Sequence, residues 1–193
     1  MRAASKGTGW RSSQGSVFRE YRGWFVYVHP VVYINQNTTK ASVWVKPMAI
    51  DPIFWDLVVL PENNAQPLSF RWNGAWTCQP PEFAEIDLPE EHGVEAVARR
   101  LLMVANEQLK AVADGWSVEA FLEMCRERSR GRDAYLACVV TALISLGREN
   151  DALAACEAAE AAGWIGGFMS PEGTFVEMAA RWLQQRSGSS TRH

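Results

Sequence analysis

Hydrophobic positions fall in short strand-like runs, rich in aromatic and β-branched types, before Pro89 and recur at helical spacing in an Ala-, Leu-, Glu- and Arg-rich stretch after it. Residues 16–21 read as a strand turned by Arg22-Gly23. Residues 24–36 read as one long strand or two, with Pro30 forcing a bulge, a break or an edge position. Asn35-Gln36-Asn37-Thr38-Thr39 is a polar turn. Residues 41–46 then alternate cleanly, with Ala41, Val43 and Val45 on one face and Ser42, Trp44 and Lys46 on the other. A core on the aliphatic face turns Trp44 away from it. Asp51-Pro52 has the form of an N-cap followed by proline at the first helical position, so a short helix is expected over 52–60. A strand through 57–60 is the competing reading. Residues 68–72 and 75–78 make a last hairpin around Asn73-Gly74.

Beyond Pro89 the spacing is helical. Val94, Val97, Ala98, Leu101, Leu102, Ala105, Leu109 and Val112 form one continuous stripe, ended by Asp114-Gly115. Ser117 caps a second helix, with Trp116 and Phe121 placed as a hydrophobic staple. A third helix over 134–146 is apolar nearly all round, which predicts a central buried position, and Gly147 stops it. Glu149 or Asn150 opens an alanine-dense fourth helix ending at Gly163. Ser170-Pro171-Glu172 starts a fifth, with Phe175, Met178, Ala179, Trp182 and Leu183 on its buried stripe.

Strands followed by a block of helices predict an α+β fold, an N-terminal antiparallel β-sheet packed against a C-terminal bundle of about five helices. The expected organisation is a flexible N-terminal arm over 1–15, a sheet half over 16–88, a helical half of the same domain over 89–186, and a disordered tail over 187–193. The 48% hydrophobic and 21% charged residues exclude wholesale disorder and a collagen-like or coiled-coil chain. No apolar run approaches the ~18 residues of a membrane-spanning helix. MRAASKGTGWRSSQGS lacks the apolar middle of a secretory signal, so a cytoplasmic location is expected. Cys78, Cys125, Cys138 and Cys156 have no C-x-x-C spacing and are expected as reduced, mostly buried thiols, with no metal site.

The net charge of −3 argues against nucleic acid as a partner, but it conceals a split. Residues 1–88 carry 8 basic and 7 acidic residues, and the rest carry 11 and 15. Six of the nine tryptophans precede residue 80. One sheet face cannot hide so many aromatics, so Trp44, Trp72 or Trp76, together with Arg71, are candidate interface anchors. PEFAEIDLPEEH carries Glu82, Glu85, Asp87, Glu90 and Glu91 without a basic residue. It reads either as a solvated linker leading into a helix N-terminus or as an acidic surface that docks a basic partner. No catalytic signature accompanies them. His29 and His92 stand outside any nucleophile-and-base pattern, GTGWRSSQG lacks the ending of a phosphate loop, and no cofactor is implied.

The stretch VWVKPMAIDPIFWDLVVLPEN followed by PLSFRWNGAWTCQPPE, and then by an apolar helical half, resembles a family of bacterial immunity proteins. Those proteins are encoded beside polymorphic toxins, including type VI secretion effectors with restriction-endonuclease-like nuclease domains. The resemblance covers residues from about Gly23 to Pro80, and IDPIFWD and SFRWNGAW are its most distinctive parts. It implies a cytoplasmic, non-enzymatic protein that binds one cognate toxin and occludes its active site or substrate cleft. On that reading Glu82, Glu85, Asp87, Glu90 and Glu91 face the toxin's basic surface, with Trp44 and Arg71 packing nearby. Two other classes remain open: a non-catalytic scaffold whose helical half is a docking groove, and a small enzyme using Asp51, Asp56 or a glutamate. A monomer is the working expectation.

Overall fold

The computed structural model describes residues 1–33, 38–88, 93–130 and 132–189. In chain order the elements are α1 (Arg2–Ser5), β1 (Arg11–Ser13), β2 (Ser16–Tyr21), β3 (Trp24–Tyr33), β4 (Thr38–Pro47), α2 (Ile50–Leu57), a 3₁₀ turn (Pro61–Ala65), α3 (Phe70–Asn73), β5 (Glu82–Leu88), α4 (Val94–Gly115), α5 (Val118–Ser129), α6 (Leu136–Ser145), α7 (Glu149–Ala161), β6 (Met169–Ser170), β7 (Gly173–Thr174) and α8 (Phe175–Ser189). The class is α+β, as expected. The five helices of the second half are present as α4 to α8, and three more precede them. Two compact units emerge, one from Met1–Met48 with Glu82–Trp116 and the other from Ala49–Pro81 with Ser117–His193. Each is assembled from separated segments, so the boundary near residue 88 divides the composition and not the fold.

The first unit is a five-stranded antiparallel sheet in the order β1-β2-β3-β4-β5, with α4 on one face. Val17, Val26, Val28, Val43 and Val45 share that face and are fully buried, because alternate side chains of paired strands point the same way. Pro30 interrupts nothing. It pairs with Ala41 of β4, while the β2 ladder has already ended at Val17↔Val28, so its missing N–H falls on an open edge. On the opposite face Tyr27 and Trp44 are cross-strand neighbours whose rings stack at 4.7 Å and 7°. Trp44 thus points away from the aliphatic face, as the alternation predicts, and is half-buried.

Residues 1–15 are not a loose arm. Trp10 is buried, its indole N–H donates to Asn106 Oδ1 on α4 at 2.9 Å, and β1 extends the sheet beyond β2. Residues 82–88 are likewise not a linker but the outer strand. Ala84, Ile86 and Leu88 alternate with Glu85 and Asp87, and pairing with β4 satisfies the inner backbone edge. Along α4 the expected stripe is buried from Ala98 to Val112, whereas Val94, in the first turn, is 84% exposed.

The second unit packs α2 against α6 and α8, with α7 lying against both α6 and α8. α6 is buried on nearly every side, as its composition predicts. Ser117 Oγ caps α5 by accepting from Ala120 N at 3.2 Å. Three local expectations are corrected here. Asp51 is not the N-cap of α2 but a buried residue of its first turn, one residue past Ile50. The stretch 68–78 is not a hairpin. Asn73-Gly74 ends the short helix α3, and the chain from Gly74 to Cys78 runs irregularly, tied to α2 where Asp51 accepts from Cys78 N. α8 begins at Phe175, since Ser170-Pro171-Glu172 turns the β6–β7 hairpin and Thr174 with Glu177 forms the capping pair. All four cysteines are buried thiols. Burial, with the charge of Glu157 added, pushes the Cys156 thiol up to about 12.

Candidate functional site

In the first unit, three of the expected contact acids lie along β5, which pairs with β4 alone among the described residues. Glu85 and Asp87 are exposed, and both reach the Lys40 ammonium on β4, at 2.6 and 3.7 Å. The hydrogen bond to Glu85 holds Lys40 above its usual range. One lysine therefore answers two carboxylates, and the strand keeps a negative surplus. Glu82 lies opposite Trp44, across a bulge at Val43/Trp44. Burial, with the Glu82 charge added, keeps the Tyr27 phenol protonated well above its ordinary range. Trp44, Glu82, Glu85 and Asp87 thus sit on two neighbouring strands. Glu90 and Glu91 lie outside the described residues.

Arg71 belongs to the second unit and has a structural partner. Its guanidinium donates to Asp51 Oδ2 at 3.0 Å and lies 5.3 Å from the Trp55 ring centroid. Its side chain is 13% exposed and that of Asp51 is 0%. Asp51 Oδ1 accepts from Cys78 N at 3.1 Å. Asp51, one of the carboxylates an enzyme reading would use, is thereby committed to holding residues 71–78 on α2. Asp56 is exposed. Ser16 Oγ and His29 Nδ1 share a hydrogen bond at 2.8 Å, but Ser16 is fully buried, so its hydroxyl is not presented to a substrate.

The second unit also holds a feature that sequence reasoning found only through one residue. A cleft of about 450 Å³ is lined by Phe54, Trp76, Asp133, Tyr135, Cys138 and Phe168, among others. Trp76 stands at φ +62° and Tyr135 at φ +66°. Left-handed backbone is a genuine outlier for bulky side chains and costs roughly 1–3 kcal/mol at each position. The strain at Trp76 is imposed from below. The buried Trp55 indole N–H donates to Trp76 O at 2.7 Å, and two residues on Asp51 takes the Cys78 N–H. The indole of Trp76 is left 50% exposed, edge-on to Phe168 at 4.8 Å. Opposite, Asp133 accepts from Gly166 N at 2.8 Å and Ile165 N at 3.2 Å, which orders the Gly166-Gly167 turn. Gly166 is at φ +75°, and a Cβ there would meet Phe175 Cδ1 at 2.5 Å. The aromatic-rich SFRWNGAW and the Gly166-Gly167 pair were the available sequence signals. Their meeting at one cleft is tertiary.

Among the described residues no group of three or more His, Cys, Asp or Glu is arranged to hold a metal ion, and no helix is long and apolar enough to cross a membrane. Comparison with known family models, curated proteins and solved structures finds no match.

Proposed function

We propose that this chain is an immunity protein that binds a cognate secreted bacterial toxin, a nuclease domain with a basic substrate cleft, and occludes that cleft in the cytoplasm until export. The observation that carries the reading is β5, which carries Glu82, Glu85 and Asp87 and pairs, among the described residues, with β4 alone. A nuclease must offer basic groups to phosphate, and a preorganised row of carboxylates competes for the same groups. The resemblance of IDPIFWD and SFRWNGAW to immunity proteins supports the same reading. Co-expression with the toxin encoded by the adjacent gene should restore growth, and the two proteins should co-elute one to one. Glu85→Lys with Asp87→Lys should slow association and flatten its salt dependence. No rescue of growth by the wild-type chain would overturn the reading.

A second reading, a non-catalytic scaffold, is favoured by the aromatic cleft of the helical unit. It predicts a partner captured through residues around Trp76 and unaffected by charge reversal on β5.

A further inference from the structure

We propose that the cleft of the second unit is a docking site for an arginine side chain of a partner polypeptide. The inference stands on the cleft alone and holds for either reading above.

The half-exposed Trp76 is the first reason. Its backbone is held at φ +62° by bonds from below, and the opposing Tyr135 is held at φ +66°. Two strained aromatic residues facing one concavity is an arrangement that packing does not require, because a glycine or asparagine would take the same backbone without strain. Strain of this kind collects at ligand clamps.

Charge decides the chemistry of the guest. Asp133 is the one charged residue lining the cleft among the described residues, and no lysine, arginine or histidine lines it. Its two oxygens accept from two backbone amides, which leaves further acceptor positions and the full negative charge. Gln79 spends its amide nitrogen on Thr77 Oγ1 at 2.8 Å and on Trp72 O at 3.4 Å, so its carbonyl oxygen remains as another acceptor. Trp76 offers a half-exposed, electron-rich ring to the cleft, backed by the buried Phe168 and Phe54. Acceptors, a carboxylate and an aromatic face together select a cation. A planar guanidinium stacks on an indole and donates in several directions at once, which a compact ammonium cannot do.

The probe is N-acetyl-arginine N-methylamide, titrated into the ¹⁵N-labelled full chain while the Trp76 indole N–H and the Gly166 and Gly167 amides are followed. Saturable shifts at these three positions are expected. The citrulline counterpart, equal in shape and uncharged, should bind about tenfold more weakly or not at all. Asp133→Asn should remove most of that preference. Trp76→Gly should abolish the shifts at Gly166 and Gly167 while the spectrum stays dispersed, so a folding defect is distinguished from lost binding. Three results would each overturn the assignment: no saturable shift up to about 50 mM probe, citrulline binding as tightly as arginine, or the lysine counterpart binding as tightly. Loss of toxin rescue in cells would leave this titration unchanged, so the two proposals fail separately.

Discussion

The buried indole N–H of Trp55 donates to the carbonyl oxygen of Trp76 at 2.7 Å, and through this bond one tryptophan holds another on left-handed backbone. The donor sits on α2 and is 1% exposed, while the acceptor's own side chain is half in solvent. A rigid element thus sets the aim of an exposed one.

Removing the donor tests that relationship. Trp55→Phe leaves the Trp76 carbonyl without its partner and should cost about 1–2 kcal/mol in urea denaturation. Trp76→Gly relieves the strain and loses the contact with Phe168, so its stability should stay within about 1 kcal/mol of wild type. A loss above about 3 kcal/mol would show that Trp76 serves packing instead.

Asp51 and Arg71 form the other anchor of the same segment. Asp51→Ala removes the carboxylate facing a nearly buried guanidinium and the Cys78 N–H together, and should destabilise by about 3–5 kcal/mol. The double variant Asp51→Ala/Arg71→Ala should be less damaging than the sum of the singles, by at least about 1 kcal/mol. Strict additivity in a denaturation cycle would mean the ion pair contributes nothing of its own.

Acid should loosen α8 from its first turn. Thr174 N donates to Glu177 Oε2 at 2.8 Å, and Glu177 N donates to Thr174 Oγ1 at 3.3 Å. The Thr174 backbone bond, followed by the bond with its side chain, holds the Glu177 carboxyl below its usual range. A folded pKa below the unfolded one contributes stability that is complete above the ordinary glutamate range. It disappears as pH falls through the folded value. Melting from neutral pH into acid should therefore narrow the gap in Tm between wild type and Glu177→Gln, with wild type higher at pH 7. Thr174→Ala should lower stability by about 1 kcal/mol at neutral pH. A gap that is constant down to acid pH would contradict the capping role of the carboxylate.

Several elements were legible because their signals are local. Val43 and Val45 alternate with Trp44, and that alternation alone places Trp44 on the face away from the aliphatic core. α6 reads as buried because no side of it is polar. Ser117 reads as a cap because the hydroxyl needs only the amide three residues on. The errors arose where distant partners overruled local preference. Asn73-Gly74 suits a hairpin, but the Asp51 carboxylate, Trp55 indole and Arg71 guanidinium draw residues 71–78 onto α2. Glu82–Leu88 reads as a linker because its acids dominate, yet β4 supplies a ladder that makes it a strand. Arg71 was expected at an interface on residue type alone, and a buried aspartate claimed it.

By itself the sequence determined the α+β class, the two faces of β4 and the order of the five helices of the second half, since periodicity and caps act within a few residues. Only the tertiary structure decided that the N-terminal segment belongs to the sheet, that β5 is its outer edge, and that Trp76, Tyr135 and Asp133 meet at one cleft. Those outcomes depend on hydrogen bonds and packing between residues tens of positions apart, whose pairing no local pattern encodes.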